Sequence, residues 1–324
     1  MKLLRSFVLI ACALLALPAW AQRVMIFPLV QEQGPPSANW IGTGLAVALD
    51  ESLTRGGIPN ISYEGLRRYY EQGGLVDDPA FNIPSQIGLA RQLGAGVLVS
   101  GTYRVEGESL DVHLRALAVS GDLKVLGSWQ DREDLQSLLA LTRKMGEKLF
   151  LALGRAWAPP PDVSPVAFES YIRGRIAADP TLQEVYFRKA TEIQPDYYDA
   201  ACCLAITLRA TGRLTEGTKL LEDLQSKTYS KAYLGLSSLA EARMEEGRLA
   251  EARQLLLASL KAEESPAAHI DLARLYAKQG KSKEALTELV MAEKFGTDQD
   301  EIEALRRQLP PPAPQPGQAP PAKE

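Results

Sequence analysis

Three cysteines and two histidines are all that the sequence offers to thiol, metal or imidazole chemistry, and that scarcity removes whole classes of function. A zinc site needs three or four Cys or His ligands at short spacing. Here His113 and His269 stand far apart, while Cys202 and Cys203 are neighbours. Adjacent helical positions point their side chains about 100° apart, a poor geometry for a disulfide. The pair is therefore expected to pack as small buried hydrophobes, and no metal ion or cofactor is expected. An excess of positive charge is also missing: 36 basic residues face 40 acidic ones, for a net charge of -4. Nucleic acid is a poor partner for such a chain, because polyphosphate binding is driven by clustered Lys and Arg. After the first seventeen residues, Gly, Glu or Arg breaks every apolar stretch well short of the roughly twenty residues that a membrane span needs.

Catalytic constellations are equally thin. Both histidines read as structural, His113 in an alternating strand between Val112 and Leu114 and His269 at a packing position of a helix. Gly280-Lys281-Ser282 resembles the end of a phosphate loop, but the loop's earlier glycine would fall on Leu275 inside a helix. Gly42-Thr43-Gly44 starts too far beyond its strand for a dinucleotide fingerprint and has Val47 where a third small residue belongs. Asp77 with Asp78, and Asp131 with Glu133 and Asp134, lie in polar stretches and read as solvated surface. The expectation is that the chain is not an enzyme.

What is present begins with an address. Lys2 and Arg5 precede an apolar run from Phe7 to Leu17, then Pro18 and the triplet Ala19-Trp20-Ala21, the pattern of a signal peptide over residues 1–21 cleaved after Ala21. Leu9-Ile10-Ala11-Cys12 also matches a lipoprotein box, a weaker alternative because it would leave an apolar tail on the mature chain. Taking Lys2 and Arg5 from the 36 basic residues leaves 34 against 40 acidic, so the mature chain carries about six net negative charges. The address implies a periplasmic or envelope-associated protein.

Residues 22–155 read as an α/β domain, a mixed sheet with covering helices. RVMIFPLV at 23–30 is a buried strand, followed by a helix carrying Leu45, Val47, Ala48, Leu49 and Leu53 on one face and ended by Gly56 and Gly57. A weak strand at 58–63, a helix at 64–72 and a helix capped by Ser85 and ended by Gly94 come next. Three strand-like runs at 97–105, 110–119 and 124–129, with turns between them, precede a helix at 135–153. The segments RVMIFPLV, IGTGLAVALDESL and ARQLGAGVLVSGTYRVEGESLDVHLRALAVSGDLKVLGSWQ together resemble the amino-terminal α/β domain of TolB-type periplasmic proteins. That resemblance covers about residues 23–154 and implies a fold and an envelope location, with no catalytic residues.

Four prolines in AWAPPPDVSP mark residues 156–165 as an extended linker and the expected domain boundary. Beyond it the sequence reads as helix, and one phrase recurs: TGRLTEG from Thr211, EGRLAEA from Glu246 and QGKSKEA from Gln279. Gly212, Gly247 and Gly280 stand 35 and 33 residues apart, bracketing the period of tetratricopeptide repeats. Each glycine supplies the turn within a helix pair, and Gly217, Ala252 or Ala285 lets the second helix approach the first. Leu204-Ala205, Leu239-Ala240 and Leu272-Ala273 fill the matching slots of the first helices. A divergent unit runs from Ala167 to Pro195 with its turn displaced to Asp179 and Pro180, and a polar helix at 298–309 caps the array. Residues 166–309 are thus expected to form an all-α helical solenoid, and the Pro-rich tail at 310–324 can bury nothing.

The resemblance to tetratricopeptide arrays implies an inner surface that binds a protein or peptide. Carried across, its positions are Tyr171, Arg175, Asp199, Cys202, Ile206, Arg209, Leu234, Ser237, Glu241, Met244, Ile270 and Arg274. The function expected is an envelope protein-binding scaffold or adaptor. The alternative is a small-ligand sensor or transport accessory using a cleft of the α/β domain near Gln31 to Trp40.

Overall fold

The computed structural model describes residues 23–63, 65–67, 82–159, 162–229, 232–262, 265–294 and 299–309. The signal segment, most of the helix expected at 64–72, Asp77 with Asp78, and the tail lie outside the described residues. By its internal contacts the chain divides into two compact units, Met1–Ala200 and Ala201–Glu324.

The first unit is built on a mixed sheet. Its strands are β1 (Val24–Ile26), β2 (Val30–Gln33), β3 (Asn60–Ile61), β4 (Val97–Glu106), β5 (Ser109–Ala118) and β6 (Lys124–Asp134). They run in the order β3-β1-β4-β5-β6, with β2 also paired to β4. β1 lies parallel to β3 and β4, whereas β4, β5 and β6 form an antiparallel meander. The single strand expected at 23–30 is divided because Pro28 has no N–H to give a ladder; the next donor, Leu29 N–H, turns to the carbonyl of Gly42 at 3.2 Å. The last strand runs five residues further than expected, to Asp134.

Among the described residues, the helices α1 (Trp40–Arg55), α2 (Ile83–Gln92) and α3 (Leu138–Ala152) pack on this sheet. Gly42 allows α1 to touch the strand break, since a Cβ there would lie 2.0 Å from the Leu29 carbonyl oxygen. The cap of α2 is Asn82, whose side chain accepts from Ser85 N–H at 3.0 Å, so Ser85 is the recipient of the cap rather than its source. Leu89 and Ala90 of α2 join Met25, Phe27, Ile61, Leu98 and Leu117 in a core on one face of the sheet. α2 covers only that end. Further along the same face, alternation along the strands leaves Thr102, Arg104, Asp111, His113, Arg115, Ser128 and Gln130 open to water.

The Pro-rich segment runs into a helix at Pro165, and its described residues are not a free connector. Trp157 lies against α3, its ring edge-on to Phe150 at 4.9 Å and over Gly146, where any Cβ would collide at 2.1 Å. Gln194 ties the far end down by accepting from Ser164 N–H at 2.8 Å and donating to Asp162 O at 3.0 Å. The helical hairpin that follows, α4 (Pro165–Ile176) and α5 (Pro180–Ile193), belongs to the first unit. The compact division therefore falls after this hairpin, within α6 (Tyr198–Ala210), and not at the proline-rich segment.

The second unit is helical throughout its described residues. The remainder of α6 precedes α7 (Leu214–Leu224), α8 (Ala232–Glu245), α9 (Leu249–Ala262), α10 (Pro266–Lys278), α11 (Ser282–Lys294) and α12 (Gln299–Gln308). The three phrase glycines adopt left-handed φ values of 86°, 76° and 70°. Each closes the first helix with the same pair of bonds. Gly212, Gly247 and Gly280 donate to the carbonyls three residues back, and Arg213, Arg248 and Lys281 donate to those five back at 2.9, 2.8 and 2.9 Å. Gly217, Ala252 and Ala285 are buried where the paired helices touch. At Gly217 a Cβ would meet the Ala205 carbonyl oxygen at 2.6 Å.

Candidate functional site

Three of the twelve residues assigned to a groove are structural. Tyr171 is fully buried, and its hydroxyl donates to Glu51 of α1 at 2.9 Å while accepting from Arg175 at 2.8 Å. The Arg175 guanidinium stacks over the rings of Tyr63 and Tyr171 at 5.1 and 5.4 Å. Asp199 is 1% exposed and stands 3.8 Å from Arg55 of α1. Arg173 of α4 adds a bond to Ser37 O at 2.8 Å, and Phe168 packs edge-on to Trp40. The side of α4 that a repeat would present to a guest is thus held against α1. This corrects the expectation that Tyr171, Arg175 and Asp199 line a binding surface.

The other nine belong to the second unit, on the first helices α6, α8 and α10. Burial sorts them. Cys202, Arg209, Met244 and Ile270 are buried, which corrects their assignment as direct contacts. Ile206, Leu234, Ser237, Glu241 and Arg274 are half-buried. Ser237 is turned toward α9. Ser259 Oγ gives its hydrogen to Tyr233 O at 2.8 Å, so Ser237 Oγ donates to Ser259 at 3.0 Å. The accessible stripe is then Ile206, Leu234, Glu241 and Arg274.

Sequence reasoning missed the charge ladder around that stripe. Arg209 donates to Thr218 Oγ1 at 2.6 Å and pairs with Glu245 at 3.2 Å. Arg274 pairs with Asp271 at 3.0 Å and also with Glu301 of the capping helix. Arg306 of that helix pairs with Glu293 at 2.8 Å. Glu301 and Arg306, polar residues of the capping helix, hold it to the array. Burial pushes the Glu241 carboxyl above the usual carboxylate range, against the pull of Arg209 and Arg274. Asp271 is more extreme: burial first, then the charge of Glu241, push it up to about 7 despite Arg274. His269, also buried, donates from Nδ1 to Glu288 at 2.7 Å and so has a packing role. The mixed charge at positions 209, 241, 245, 271, 274 and 301 was readable in the sequence, but only once the inner stripe is drawn around those positions.

A second concavity, of about 290 Å³, lies on the open sheet face of the first unit, lined by Glu32, Thr102, Tyr103, Arg104, Asp111, His113 and Gln130. Its polar groups answer one another. Arg104 pairs with Glu32 at 2.6 Å and holds that carboxyl below its ordinary range. Gln130 donates to Asp111 at 3.1 Å, and His113 lies 2.9 Å from Ser128 Oγ. Of the cleft expected near Gln31 to Trp40, only Glu32 lines this hollow; Ala38 and Trp40 are buried. Burial pushes Tyr103 up to about 12, and its hydroxyl donates to Ala38 O at 2.9 Å, so it serves the fold. Among the described residues, no group of His, Cys, Asp and Glu could hold a metal ion, and no helix is long and apolar enough to cross a membrane.

No curated protein matches the chain. Among solved structures it is similar to the LpoB C-terminal domain from Salmonella enterica, with 19% identity and a TM-score of 0.29, over 35% of this chain and 83% of that one. A likeness that loose carries no argument about function. A family model described as tetratricopeptide repeat matches residues 243–309, so the stretch from the end of α8 through the capping helix is similar to tetratricopeptide repeats.

Proposed function

We propose that this chain is a non-enzymatic scaffold or adaptor of the cell envelope that holds another protein on the inner stripe of its second unit. The observation that carries the reading is the set of three helix pairs with identical glycine turns, whose first helices share one half-buried stripe. Ile206 and Leu234 supply apolar contact there, and Glu241 and Arg274 supply charge of both signs. A mixed surface of that kind suits a peptide or a helix better than a uniform polyanion. Export is supported by the basic, apolar and small-residue pattern of residues 1–21 and by the TolB-like sequence of the α/β domain.

The test is photo-crosslinking in intact cells, with the reactive group at Ile206, Leu234 or Arg274, and at the exposed outer positions Arg253 and Lys283 as controls. The reading expects a defined adduct from the inner positions and none from the outer ones. Equal labelling of both sets, or labelling of the outer set alone, would refute it. A second reading, a small polar ligand in the sheet-face hollow, is supported by the hollow's mixed charge at Arg104, Glu32 and Asp111. It expects a metabolite to raise the melting temperature with no partner protein present.

A further inference from the structure

The charge on the inner stripe of the second unit is unbalanced. Arg209, Glu241, Glu245, Asp271, Arg274 and Glu301 stand together there, two guanidiniums among four carboxyls. Both guanidiniums are already engaged. Arg209 donates to Thr218 and pairs with Glu245, while Arg274 reaches Asp271 with one nitrogen and Glu301 with the other. Among the described residues, no hydrogen bond or ion pair reaches the Glu241 carboxylate.

Glu241 is half-buried in the accessible part of the stripe, and the buried Asp271 lies behind it, where α8 meets α10. Two carboxyls of like charge, drawn out of water and close enough to raise one another, are costly unless a counter-charge joins them. The chain alone lessens that cost by holding a proton on Asp271, whose carboxyl sits at about 7. A cation arriving from outside can take the proton's place. The carboxyls are not grouped to coordinate a metal ion, whereas an ammonium or guanidinium needs only hydrogen-bond acceptors. Leu234 lies seven residues before Glu241 on the same face of α8, about 10 Å along the helix. An extended peptide covers that distance in about three residues.

We propose that the guest of the inner stripe is a peptide segment with a basic side chain, lysine or arginine, seated on Glu241 in front of Asp271, and an apolar side chain about three residues away on Leu234. The proposal rests on the reading of the stripe as a protein-binding surface and adds the charge and spacing of what binds.

Fluorescence anisotropy of the full chain is the test, with three labelled peptides that differ only in carrying Lys, Gln or Glu at the third residue from a leucine. At about pH 8 the lysine peptide is expected to bind about tenfold tighter than the glutamine peptide, and the glutamate peptide weakest. Glu241→Gln should remove the lysine advantage and leave the glutamine peptide's affinity unchanged. Going from about pH 5 to about pH 8 should strengthen the lysine peptide, because Asp271 and Glu241, the raised carboxyls facing it, lose their protons more readily once a cation is bound. Asp271→Asn, which leaves Glu241 in place, should weaken that pH dependence. Equal binding of the three peptides overturns the proposal while the stripe's capture of a protein, read by crosslinking, stands or falls separately. A lysine preference that persists in both Glu241→Gln and Asp271→Asn also overturns it, as does a lysine peptide that fails to bind at millimolar concentration.

Discussion

Replacing Asp271 with Asn should stabilise the helical repeats, and by an amount that grows with pH. Asp271 is 4% exposed, beside Glu241 of α8 and between Arg274 and the capping-helix Glu301. Its carboxyl is raised from 3.8 to about 7, so the folded chain favours the protonated form. Below pH about 4 both states hold the proton and the residue costs nothing. Between about 4 and 7 only the unfolded state releases it, and stability falls by about 1.4 kcal/mol per pH unit. Above about 7 both states are ionised and the loss levels off near 4 kcal/mol, an upper figure because the folded state can relax around the charge. Asn keeps the oxygen that accepts from Arg274 and cannot ionise. Urea melts at pH 5 and pH 8, with hydrogen exchange in α8 and α10 assigning the transition, should show the advantage of Asp271→Asn growing by about 3 kcal/mol between the two. An advantage that is the same at both pH values, or a variant weaker than wild type at pH 8, would refute the reasoning.

Other substitutions probe the remaining junctions. Tyr171→Phe removes the hydroxyl that links Glu51 to Arg175 and should cost about 1–3 kcal/mol in chemical denaturation, while leaving partner capture by the second unit intact. Gly42→Ala drives a methyl into the Leu29 carbonyl and should cost about 1–3 kcal/mol or more, read as a lowered melting temperature of the α/β unit. Gly247→Ala meets no neighbour but forces an L residue into φ 76°, so a loss of about 1–2 kcal/mol is expected, confined to exchange in α8 and α9.

The repeat hairpins were legible because their signal is local. A left-handed turn selects glycine at one position, and close helix approach selects a small residue five positions later; both recur at 212, 247 and 280. The meander was legible for the same reason, alternation between turns. The inner surface was only partly so. Assigning Tyr171 and Arg175 to it treats every first helix as equivalent, yet α4 spends that face on Glu51, a partner 120 residues away that no period in the sequence records. The proline-rich boundary misleads in a similar way, since the docking of Trp157 depends on the absence of a side chain at Gly146 in a different helix. Within the stripe, periodicity gives the direction of a side chain but not its depth, so Cys202 and Ile270 were grouped with Leu234 and Glu241.

Hydrogen exchange of the full chain, alone and with the protein it captures through the crosslinking positions, addresses the inner stripe most directly. Slower exchange is predicted in α6 around Ile206, in α8 from Leu234 to Glu241 and in α10 around Arg274, with α4 and α5 unchanged. Slowing confined to α4 and α5, or to the sheet, would contradict the account.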